Sequence, residues 1–174
     1  MQQEYGVELR WSVFPLHPET PPEGMELTEL FAGREAMIRE MQARLHQIAV
    51  AEGVPMMERT RTCNSRLAQE LGKWAESLGR GDEFRRAVYR AYFAEGSNIG
   101  LVGELLKVAA VAGLPPAEAE AVLGERSFAP AVDADWQRAG KLGITAVPTH
   151  LCGGKRLTGF NAYDAFVDLI GANR

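Results

Sequence analysis

The chain has 174 residues, 46% of them hydrophobic and 24% charged, so it can bury a core and is unlike a disordered or low-complexity chain. A formal net charge of −4 leaves no basic footprint for nucleic acid or an acidic membrane surface, and no apolar run approaches the ~18 residues of a membrane span. Its two cysteines, Cys63 and Cys152, have 88 residues between them and make no disulfide framework. With no basic region and apolar stretch at the N-terminus, the expected location is a reducing cytoplasm.

The first readable element is residues 6–14, where Val7, Leu9, Trp11 and Val13 alternate with Glu8, Arg10 and Ser12. A period of two predicts a strand with one apolar face. Prolines at 15, 18, 21 and 22 then break any ladder or helix and predict a long ordered loop. A short helix near Leu27–Phe31 is expected next, followed by a longer one from Arg34 to about Glu52, where Met37, Met41, Leu45 and Ile48 keep helical spacing. Residues 56–62 read as coil. Asn64 or Ser65 caps a helix carrying Leu67, Leu71, Ala75 and Leu78. Asp82 caps the next, whose apolar face is Phe84, Val88, Tyr89, Tyr92 and Phe93. Asn98 opens a third through Leu101, Leu105, Leu106 and Val108, closed by Gly113. Pro115 and Pro116 suit the first turn of a fourth, and a fifth runs from about Pro130 to Leu142. After Pro148 the pattern changes. Thr149–Cys152, the Gly153-Gly154 pair and Lys155–Thr158 predict a hairpin, and residues 162–170 a terminal helix. Trp11, Trp74 and Trp136 read as packing residues. The three histidines, His17, His46 and His150, have no metal-like spacing, and no metal site is expected.

Several stretches carry a family likeness when taken in order: Phe14–Pro18 through Pro22-Glu23-Gly24, Cys63-Asn64-Ser65-Arg66-Leu67-Ala68, Tyr89–Phe93 with Glu95–Ile99, and Gly143–Thr149 followed by Gly153, Gly154 and Gly159. Together they resemble the DsbA-like thioredoxin superfamily, nearest its FrnE branch, with 2-hydroxychromene-2-carboxylate isomerases and kappa-class glutathione transferases as relatives. The resemblance implies an α/β thioredoxin-like fold with a large α-helical insertion. Residues 1–26 and 128–174 would form the thioredoxin-like part and residues 27–127 the insertion. It also implies a departure at the front. The family places a strand, a reactive turn and a helix before the strand that here begins at Gly6, so the central strand and first helix are missing. Residues 1–5 look like the tail of that helix. Three repairs are open: the flanking strands close the gap, a second chain pairs with the exposed edges as a homodimer, or the sequence starts late relative to the gene product.

The same resemblance supplies the candidate site. A proline opening a strand is by itself most simply trans; the likeness implies a cis Pro148, with the Val147 backbone, Pro148 and Thr149 presented to an extended peptide or glutathione. Asn64 is carried as a ligand contact because the matching region of the relatives lies near the glutathione site, although a helix-start residue is its plainer role. Cys63, at a helix start, is a candidate for a lowered thiol pKa, and Cys152 for an extra redox thiol; Cys63 reads more simply as an ordinary thiol and Cys152 as a small buried residue. No catalytic residue is assigned. The implied function is a thiol–disulfide oxidoreductase lacking its Cys-x-x-Cys and therefore inactive, with a thiol or disulfide protein as partner. The alternatives are a glutathione-dependent isomerase or transferase, which would use a Ser in the missing segment and glutathione as its one cofactor, and a non-catalytic peptide-binding module.

Overall fold

A computed structural model of the chain describes residues 2–171, with the side chain of Gln2 outside that description. In chain order the helices are α1 (Gln2–Tyr5), α2 (Leu27–Leu30), α3 (Glu35–Ala51), α4 (Arg66–Ser77), α5 (Gly81–Tyr89), α6 (Val102–Val111), α7 (Pro116–Glu125), α8 (Ala129–Lys141) and α9 (Tyr163–Gly171). The strands are β1 (Met25–Glu26), β2 (Arg61–Thr62), β3 (Thr149–Cys152) and β4 (Lys155–Thr158). They pair antiparallel as β1–β2 and β3–β4. Residues 15–132 make one compact unit; residues 2–14 and 133–171 make a second.

The larger unit is built on helices because its apolar residues recur every three to four positions. On α4, Ala68, Leu71, Trp74 and Ala75 are buried along one face. That helix packs on α5 and α7, α5 packs on α6, and α6 on α7, so the four close a ring. Leu71, Phe84, Leu105, Ala109, Ala119 and Leu123 fill its centre. One polar group lies within this packing. Glu70 has no exposed surface, and Arg66 Nε (2.6 Å), Arg126 Nε (2.7 Å) and Arg126 Nη2 (2.7 Å) all donate to its carboxylate. Arg66 also donates to the Ala129 carbonyl at 3.0 Å. The cluster thereby joins α4 to the α7–α8 turn, where Arg126 takes a left-handed φ of 54°.

The proline-rich loop is ordered by amides rather than by a ladder. Asn64 Nδ2 donates to the carbonyls of Pro18 (3.2 Å) and Thr20 (2.7 Å), and Asn98 Nδ2 to that of Pro22 (3.0 Å). The loop delivers Gly24 to the β1–β2 pair, where Met25 lies opposite Thr62 and Glu26 opposite Arg61. Gly24 has φ 89°, and a Cβ there would stand 2.7 Å from the Thr62 carbonyl oxygen, so the position admits only glycine.

Three expectations are corrected. Residues 6–14 form no strand: no β-ladder among the described residues includes them, and Leu9 and Trp11 are 52% and 46% exposed instead of lining a buried face. A period of two marks a segment able to enter a sheet, but a strand exists only with a ladder partner. Asp82 is not a cap. Helix α5 starts one residue earlier, and Asp82 sits in its first turn, paired with Arg85. Asn98 lies four residues before α6, its side-chain oxygen accepting from Gly100 N at 2.9 Å in a turn of its own.

Candidate functional site: the Val147–Thr149 loop

In the smaller unit, α8 ends at a left-handed Gly143 (φ 61°), with Ile144 N donating to Ala139 O at 3.0 Å. Arg156 on β4 reaches back to this helix end and donates to the carbonyls of Leu142 and Gly143, the latter at 3.0 Å. Positive charge at a helix C-terminus is favourable, and here it also joins the hairpin to α8. The intervening residues 144–148 are thus held at both ends. Thr149 Oγ1 donates to Ala146 O at 2.6 Å, and Pro148 O accepts from Gly159 N at 2.8 Å. The Val147–Pro148 peptide bond is cis.

Val147 stands out of this frame, 44% exposed. Among the described residues its backbone N–H and C=O have no hydrogen-bond partner. Such groups, next to a strand, are what an extended polypeptide pairs with. β3 continues from the loop with alternating sides: Leu151 is exposed, while His150 and Cys152 are half-buried. The His150 ring meets Phe166 of α9 edge-on at 4.8 Å, and its Nδ1 is buried without a hydrogen-bond partner among the described residues.

The remaining candidates, Cys63 and Asn64, belong to the larger unit. Cys63 is half-buried against the helical core. Burial pushes its thiol pKa up, against weaker lowering by a backbone contact at Ile99 and the charges of Arg59 and Arg61. The lowering expected from a helix start is therefore overcome by desolvation. Asn64 uses both amide hydrogens on the Pro18 and Thr20 carbonyls, and its oxygen accepts from Arg66 N at 2.9 Å at the start of α4. The structure thus brings Val147, Pro148, Thr149 and Cys152 together in one unit and sets Cys63 beside Asn64 in the other.

One feature of the larger unit went unread in the sequence. A cleft of about 180 Å³ opens between residues 57–63 and the turn after α5; Met57, Arg59, Arg61, Cys63, Tyr92 and Asn98 are among its walls. The turn, Arg90–Ala94, is π-helical, and Met57 N donates to Phe93 O at 2.8 Å. The Arg59 guanidinium lies 4.7 Å from the Tyr92 ring centroid and 5.0 Å from that of Phe93, and donates to the Tyr92 hydroxyl. The alternation of Arg59 and Arg61 with Thr60 and Thr62 was the available signal, over too short a run to define a strand. No group of three or more His, Cys, Asp or Glu side chains among the described residues could hold a metal. No described helix is long and apolar enough to cross a membrane.

The family model of the DSBA-like thioredoxin domain matches residues 1–171. The chain belongs to that family. Its DsbA-like thioredoxin fold, mixed α/β with a large helical part, superposes on the crystal structure of a probable DsbA oxidoreductase from Streptomyces coelicolor with a TM-score of 0.81 at 25% identity, covering 90% of this chain and 70% of that one. A further solved structure from Nitrosomonas europaea gives a TM-score of 0.63 at 17% identity over 82% of this chain and 74% of that one, and bears on the fold alone. By sequence, this DsbA-like chain is 27% identical over 171 residues to protein YwbO of Bacillus subtilis (strain 168), covering 94% of this chain and 81% of YwbO.

Proposed function

We propose that this chain is the substrate-orienting part of a DsbA-like thiol–disulfide oxidoreductase, and that its 174 residues do not themselves turn over disulfides. The observation that carries the reading is the Val147–Thr149 loop, in which Val147 is exposed with its backbone groups unpaired among the described residues and leads through Pro148 into β3. The likeness to a Streptomyces protein described as a probable DsbA oxidoreductase supports the reaction class. Dithiol exchange needs a thiolate to attack the substrate disulfide and a nearby thiol to resolve the mixed disulfide. Cys63 and Cys152 sit in different units with 88 residues between them, and burial holds Cys63 toward its protonated form. Cys63 therefore does not suit the attacking role. Asn64, which a glutathione-dependent isomerase reading would use, has its amide engaged within the protein, so it serves here to position the proline-rich loop. Cys63 and Cys152 form no disulfide, which fits a reducing compartment, and the proposal assigns the protein to the cytoplasm.

A titration of the isotope-labelled chain with an unfolded, cysteine-alkylated peptide, followed by amide NMR, tests the binding half. The expected result is saturable shifts centred on Val147, Thr149 and His150. Shifts confined to other residues, or none at millimolar peptide, would overturn it.

A further inference from the structure

Helix α3 turns one narrow side to its own unit: Ile38 and Ala49 are buried, and Gln42 Nε2 donates to Arg59 O at 2.8 Å. A neighbouring face is apolar and uncovered. Met37, Met41 and Leu45, spaced four apart, are 52%, 48% and 39% exposed. At 3.6 residues per turn they form a continuous stripe on a helix about 25 Å long. Glu40 and Arg44 flank the stripe on one side, both exposed, and neither has an ion-pair partner among the described residues.

We propose that α3 is a self-docking surface on which a second copy of this chain pairs antiparallel about a two-fold axis at Met41. The pattern is symmetric about that residue: Met37 meets the partner's Leu45, Met41 meets the partner's Met41, and the relation repeats on the other side of the axis. In an antiparallel helix pair equivalent flanks face each other, so Glu40 reaches the partner's Arg44 twice. A membrane surface is a poorer occupant, because α3 carries two Arg against two Glu and lacks the basic face such helices use. One helix pair is small for a stable interface, so dissociation falls on the order of tens of micromolar.

Sedimentation velocity of the full chain across roughly 5–500 µM tests this. The expected result is a mass rising with concentration from one chain toward two. Met41→Lys, a change at an exposed position, places two like charges at the axis and should hold the protein monomeric throughout. Glu40→Arg should weaken dimerisation roughly tenfold, and Glu40→Arg with Arg44→Glu should restore it, whatever becomes of the Met41 variant. A monomer at every concentration overturns the proposal. So does a dimer indifferent to Met41→Lys and to the charge swaps, which would place the contact elsewhere, such as at the open strand edges.

Discussion

Glu70 is fully buried, yet its carboxyl pKa lies below the ordinary carboxylate range. Burial pushes it up, and the hydrogen bonds and charges of Arg126 and Arg66 more than offset that. A folded pKa below the unfolded value of about 4.3 means the contribution to stability is fully present above that pH and is lost as pH falls through the folded value. Glu70→Gln should therefore cost about 3 kcal/mol at pH 7, since it leaves two guanidinium groups without their counter-charge. In urea unfolding, the gap to the unaltered protein should narrow below about pH 4; equal midpoints at pH 7 would refute this role. Cys63 gives a second test with the opposite sign. Its raised pKa keeps it a thiol at neutral pH, so iodoacetamide should modify it more slowly than a free cysteine at pH 8, with the rate still climbing above about pH 9. Alkylation at the rate of an unfolded thiol would contradict this. Neither result was legible in the sequence. Glu70 sits among helix-surface residues by spacing, and its partner Arg126 is 56 positions away.

Among the elements, legibility followed the range of the contacts that make each one. Helices α4 to α7 were readable because their hydrogen bonds are local and their apolar residues recur at helical spacing. The β3–β4 hairpin was readable because its turn carries paired glycines, which adopt φ of 52° and 82°. The β1–β2 pair, two residues on each side, is too short to leave a period, and its partners come from segments 35 or more positions apart. Gly24 leads directly into it. Gly24→Ala would force a Cβ against Thr62 O at a positive φ, costing roughly 2 kcal/mol. The amide of Leu27, which donates to Thr60 O at 2.7 Å, should then lose hydrogen-exchange protection while α6 keeps its own. Unchanged protection at Leu27 would show that Gly24 is dispensable.

Across the whole molecule, the two units differ in what holds them. The larger has a contiguous core from α4 to α7. In the smaller, the buried residues are few, Asp135 and Ala139 among them; Val13 N is tied to Asp135 Oδ2 at 3.0 Å, and Leu9, Trp11, Leu151 and Phe160 are exposed. Amides of Glu8, Leu9 and Arg10 have no acceptor among the described residues and should exchange orders of magnitude faster than those at the centre of α4 and α6. The Val147–Thr149 loop is built within this lightly packed unit, positioned by Arg156, Thr149 and Gly159 rather than by a deep core. Its residues were named through the family resemblance, since the Val-Pro-Thr step alone reads as a trans proline, whereas the frame around it depends on residues brought from the hairpin. In the proposed function this loop orients a substrate on a chain holding no working dithiol. Insulin reduction by dithiothreitol, with and without the purified chain, tests it most directly: the rate should stay at that of dithiothreitol alone, and catalytic acceleration by the chain would contradict the claim.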